Sequence, residues 1–136
     1  MNRAVLIVGA LLVAGVADAS ESWSGTWRCG VGKNATGELR TIDREGDVEF
    51  QLQLWGGPPA HNSGLAQGHL VVRNDKAVFE TTEFGGKCRI EFAFGSKRIA
   101  IEQKEGDWAA CGFGHSIEAH GTFVRTSRHP PKFRKS

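Results

Sequence analysis

From position 20 onward, apolar and polar side chains alternate with a period of two, and no stretch repeats at the period of a helix. Val48, Phe50, Leu52 and Leu54 alternate with Glu49, Gln51 and Gln53; Cys88, Ile90, Phe92 and Phe94 alternate with Arg89, Glu91 and Ala93. Ile99 and Ile101 alternate with Arg98, Ala100 and Glu102, and Ile117, Ala119, Gly121 and Phe123 with Glu118, His120 and Thr122. Successive strand side chains point to opposite faces, so each run reads as a strand with one buried face. Weaker versions over 23–29, 36–42, 66–72 and 77–82 bring the predicted count to eight. Between them fall Glu45-Gly46, Asn74-Asp75, Gly85-Gly86 and Gly95-Ser96, residues that tolerate the positive φ of tight hairpins. Two connections are longer, 56–64 and 104–115. None offers the helix that a parallel crossover needs. The pattern therefore predicts an all-β fold, an eight-stranded antiparallel meander that closes into a barrel and so removes its edges. Phe50, Leu52, Leu70, Phe79, Ile90, Phe92, Ile99, Ile101 and Phe123 are the predicted interior.

Composition narrows the class. The chain has 136 residues, 40% hydrophobic and 24% charged, which excludes a disordered tract and a bilayer-spanning bundle. A formal net charge of +2 is too balanced for a dedicated nucleic-acid binder. Eighteen glycines are about twice the usual share of roughly 7%, in keeping with many tight turns. Residues 1–19 read as a secretory signal peptide. Arg3 precedes an apolar run from Ala4 to Val16, and Ala17-Asp18-Ala19 places small residues where a signal peptidase cuts. At 1.5 Å per residue the apolar run reaches about 20 Å, short of the roughly 30 Å hydrocarbon core, so no membrane span is expected. Cleavage after Ala19 would deliver the product to the periplasm or the extracellular space. The expected layout is a signal peptide (1–19), a barrel domain (20–125) and a basic flexible tail (126–136). That tail is inferred from Pro130-Pro131 and from five Lys or Arg, with no acid, from Arg125 to the end. Asn34-Ala35-Thr36 forms a glycosylation sequon that matters only in a eukaryotic source.

Export places Cys29, Cys88 and Cys111 in an oxidising compartment, where an odd count allows one internal bridge and leaves one thiol. The expected pair is Cys88–Cys111, because the glycine-rich stretch around Cys111 can fold onto the start of the strand at Cys88. A closed loop of about 23 residues contributes about 3 kcal/mol on the chain-entropy estimate. Cys29 is then a buried free thiol or an intermolecular bridge.

Gly25-Thr26-Trp27, at the start of the first strand, resembles the G-x-W opening of calycin-type barrels, the group of lipocalins, fatty-acid-binding proteins and avidins. The resemblance implies that Trp27 plugs one end of the barrel beneath a basic side chain from the last strand. Arg125 shares a face with Gly121 and Phe123 and is the residue placed to cover it. The Thr-Asp-Tyr signature of many lipocalins is missing, as is the set of Trp and Thr that lines an avidin pocket. The run from Cys111-Gly112-Phe113-Gly114 to Gly121-Thr122-Phe123 resembles the C-terminal end of small secreted bacterial proteins of uncharacterised function.

Candidate chemistry is sparse. Cys111, His115, Glu118 and His120 can all ligate a metal, but no zinc-type spacing occurs and a disulfide removes Cys111, so no metal or other cofactor is expected. Ser116 and His115 adjoin, yet strand neighbours face opposite ways, and no nucleophile elbow or phosphate loop is present. No catalytic residue is assigned. The reading is a non-enzymatic binding protein that grips a protein or glycan of the cell envelope, an envelope hydrolase included, through Trp55, His61, Trp108 and Phe113 on the two long loops. The alternative is a carrier of a small apolar ligand inside the barrel, and a cavity of about 300 Å³ or more would favour it.

Overall fold

The computed structural model describes residues 22–30 and 36–135. The predicted signal peptide and the Asn34 sequon lie outside the described residues. Eight strands succeed one another: β1 (Gly25–Cys29), β2 (Gly37–Arg44), β3 (Asp47–Trp55), β4 (Ser63–Val71), β5 (Lys76–Thr81), β6 (Cys88–Phe94), β7 (Arg98–Glu105) and β8 (His120–Ser127). They form one antiparallel sheet in the order β4-β3-β2-β1-β8-β7-β6-β5. Pairing of β1 with β8 joins the two ends of the chain, and the sheet is nearly closed into a barrel. The remaining seam runs between β4 and β5, where the Phe79 ring lies against Gly68. Hairpin turns sit where the Asn, Asp and Gly pairs predicted them, with Glu45, Asn74 and Asp75 at positive φ.

Alternation carries through to packing. Eight of the nine predicted interior residues are no more than 2% exposed; Phe79, at the seam, is half-buried. Phe50 anchors the centre, with ring centroids 5.1 Å from Phe79 and 5.3 Å from Phe92 in edge-to-face contacts. Strand limits differ from the sequence reading mainly at β8. Ile117 and Ala119 are buried, as their alternation implied, but they lie before the strand, and β8 begins at His120. The chain turns there, with Ser116 at φ 64° and the Ile117 N–H donating to the Gly114 carbonyl.

At the end of the barrel that holds the start of β1, Trp27 is fully buried, and its indole N–H donates to Thr41 Oγ1 at 3.0 Å. Arg125 is its register partner on β8, with the guanidinium carbon 4.6 Å from the indole centroid. That guanidinium also donates to the carbonyls of Ser22, Ser24 and Ser96, tying the entering chain and the β6–β7 turn to the same plug. Gly25 is required here because the Ser127 carbonyl passes where a Cβ would stand, beside the register shift at Thr26 and Trp27.

The segment after β8, expected as a basic flexible tail over 126–136, makes hydrogen bonds back to the sheet. The strand runs to Ser127, and residues beyond it lie along the outside of the sheet. Arg40 Nη1 donates to the Lys132 carbonyl at 2.8 Å. Gln51 brackets Arg134, donating to its carbonyl (2.8 Å) and accepting from its N–H (3.0 Å). A side-chain amide thus imitates a neighbouring strand and satisfies backbone that would otherwise need water. No helix among the described residues is long and apolar enough to cross a membrane.

Candidate binding rim

The opposite end of the barrel is closed by its loops. Residues 106–119 connect β7 to β8 and fold back over the mouth. Cys111 is bonded to Cys88, the first residue of β6, with Cα atoms 5.0 Å apart. Successive turns carry the chain around it: Cys111 N–H to Asp107 O, Gly112 N–H to Ala109 O and Phe113 N–H to Trp108 O. Asp107 Oδ1 accepts the Ala110 N–H at 2.9 Å. Gly112 sits at φ 76° with the Phe84 ring where a Cβ would project, a conformation only glycine adopts without strain. Phe113 is 5% exposed and its ring packs onto Gly64.

The two long loops are joined to each other. The Gly114 N–H donates to the Ser63 carbonyl at 2.8 Å, and Asn62 Nδ2 donates to the His115 carbonyl at 3.0 Å. Gln103 staples the lid at both ends, donating to the Gly106 carbonyl and accepting from the Ala119 N–H, each at 2.9 Å. Its role escaped the sequence reading, although a signal was there. Gln103 continues the inward phase of Ile99 and Ile101, and a polar side chain in that phase has to find partners.

The structure distributes the four predicted contact residues unevenly. Trp55 closes β3 and is half-buried, and His61 is exposed at φ 52° in the β3–β4 loop. Trp108 is half-buried, its ring meeting His115 edge-on at 4.7 Å. These belong to neighbouring loops on one rim. Phe113 differs: it is a plug of the mouth, because Gly64 opens room for its ring beneath the lid. Phe84, 48% exposed on the β5–β6 connection, joins the rim instead. A lone aromatic next to a Gly-Gly turn was the available sign of it.

Beside Trp108 lies an open groove of about 250 Å³, lined by Gln103, Gly106, Asp107, Trp108, Ser116, Ile117 and Glu118. An aromatic wall, an exposed hydroxyl and two exposed carboxylates border it. A second, wider trough of about 510 Å³ runs along the outer face of β5 to β8, with Ala93 opposite Ala100 in its floor. The groove beside Trp108 is bounded by residues of the lid and by Gln103, and the trough by outward-facing side chains together with Ala77, Phe92 and Ile101 of the core. Among the described residues, no three His, Cys, Asp or Glu are gathered as a metal site. Cys29 is a free, half-buried thiol, its sulfur against the Cα of Gly121.

Compared with protein-family models, with curated proteins and with solved structures, the chain matches none.

Proposed function

We propose that this is an exported, non-enzymatic binding protein of calycin-like build that engages a protein or glycan of the cell envelope through its mouth rim. The observation that carries the reading is the plugging of the barrel from both ends. Trp27 and Arg125 fill one end, Phe113 and Ile117 the other, and the predicted interior residues occupy the space between. Large side chains buried along the interior favour the rim over an interior carrier site. The grooves beside Trp108 and along β5 to β8 offer concave surfaces for a ligand instead.

The rim has the properties of a preorganised contact surface. A disulfide, the Gln103 staple and the hydrogen bonds between the long loops hold Trp55, His61 and Trp108 in place before any partner arrives. Contacts ordered in advance lose less entropy on association. The Trp108 groove suits a sugar ring, which stacks on an indole while hydroxyls meet Ser116, Asp107 and Glu118. An envelope hydrolase seated on the same aromatic rim is the protein version of this reading.

The test is a binding isotherm of the exported protein with soluble peptidoglycan fragments, run beside an inhibition assay on envelope hydrolases. Trp108→Ala and Trp55→Ala should each weaken binding or inhibition about tenfold or more, as expected of a hot-spot aromatic. If an apolar fluorophore binds one-to-one with equal affinity to both variants and to wild type, while glycans and hydrolases do not bind, the carrier reading replaces this one.

A further inference from the structure

The C-terminal strap forms a second surface, on the outer face of β1 to β3 and apart from the rim. Its backbone is held and its charges are not. Gln51, 4% exposed, grips Arg134 by the main chain alone, and Arg40 does the same at Lys132. Among the described residues, no carboxylate pairs with Lys132, Arg134 or Lys135, and all three are exposed. Beneath the strap, Glu38 is buried and is shared by Arg28 and Arg40, so two guanidiniums meet one carboxylate. Glu49, further along β3, is already paired with Arg44. An excess of positive charge therefore stands on this face. The chain from Ser20 to Val124 holds eleven Lys and Arg against fourteen Asp and Glu, so the rest of the domain is acidic.

We propose that the strap and the strand face beneath it are a docking surface for a soluble phosphate-bearing polymer. Exposure alternates along the strap, with Lys132 and Arg134 outward and Phe133 half-buried between them. Two outward residues of an extended segment are spaced roughly 7 Å apart, a ladder that suits a linear chain of repeating anions. The guanidinium of Arg134 offers the forked donors that match phosphate, and Lys132 and Lys135 add point charges on either side of it. A lipid surface fits less well. Phe133, the large apolar side chain of the strap, lies in a groove with Glu49, Gln67 and His69 and is not presented to a bilayer.

Long-chain inorganic polyphosphate is the probe, titrated into the exported protein from about 50 to about 200 mM salt, where counterion release makes the response steep. Wild type should bind saturably and weaken steeply with salt. The triple variant Lys132→Gln, Arg134→Gln, Lys135→Gln changes only exposed side chains. It should lose about tenfold or more at the lowest salt, with the log–log salt slope reduced by about two to three. Gln51→Ala keeps every charge but frees the strap, and should weaken binding at least about threefold, as expected when ordering must accompany association. Lys76→Gln, on β5, should bind as wild type. The proposal is overturned if wild type ignores polyphosphate, if the triple variant or Gln51→Ala binds unchanged, or if Lys76→Gln weakens binding equally. Vesicles containing phosphatidylglycerol form the last arm. Retention there as tight as on polyphosphate, lost in the triple variant, would make a lipid surface the occupant and overturn the polymer assignment.

Discussion

Single residues at the sealed end show how one side chain serves several neighbours. Thr41 accepts the indole N–H of Trp27 and passes its own hydroxyl hydrogen to the Trp23 carbonyl. Thr41→Val keeps the shape and removes both bonds, leaving a buried indole donor unpaired. The expected loss is about 1–3 kcal/mol, read from the midpoint of urea unfolding. Trp27→Ala should cost more, about 3–5 kcal/mol, as a large truncation in a filled core. A smaller loss from Trp27→Ala than from Thr41→Val would mean that the ring does not plug the barrel. Trp27 was legible in the sequence because Gly25-Thr26-Trp27 and the strand phase of Arg125 agree. Thr41 was not. A threonine in a strand can face either way, and only the three-dimensional position of the indole gives its hydroxyl a purpose.

Among the elements, the lid over 106–119 is the part whose order rests on few anchors. Reducing Cys88–Cys111, or replacing the pair by serine, removes one of them while the Phe and Ile core remains. Hydrogen exchange should then rise first at amides of 107–117, with β3 and β6 still protected, because the lid opens as a local unit. Uniform loss of protection would show that lid and barrel unfold together. Gly64→Ala tests the same element from below, since its Cβ would come within 2.8 Å of the Phe113 ring carbon Cγ. The lid should loosen, and amides of 107–117 should exchange faster than in wild type. The strands and the bridge were legible because alternation and cysteine spacing are local signals. The start of β8 was not, because Ile117 and Ala119 keep a strand-like alternation while buried as residues of the lid, Ile117 against Gly56.

For the molecule as a whole, closure depends on a pairing between the first and last strands that nothing local announces. The meander pattern implied it only through the rule that exposed edges are costly. The strap was missed for a related reason: Pro130-Pro131 rightly ends β8, but the segment beyond the prolines finds its partner in Gln51, 83 residues before Arg134 in the chain. Outward glutamine on a strand is ordinarily solvated, so its second use left no trace in the pattern. The proposed export has its own check. The N-terminus of the protein recovered from the periplasm or medium should be Ser20, with a mass that includes one disulfide; retention of Met1 would contradict it.

The pairing of Trp27 with Arg125 also bears on the order of folding. Each half of the sheet, β1 to β4 and β5 to β8, is a run of sequential hairpins that can assemble as it emerges. The halves are joined by the β1–β8 ladder, whose partners stand almost a full domain apart in the chain. Contacts of such long separation form late, after the loop-closure entropy has been met. A nascent chain still lacking β8 therefore has no way to seal the barrel, and the outer strands of its formed hairpins keep unpaired edges until β8 arrives. Docking of β8 would then be the slow step that turns two half-sheets into a finished barrel.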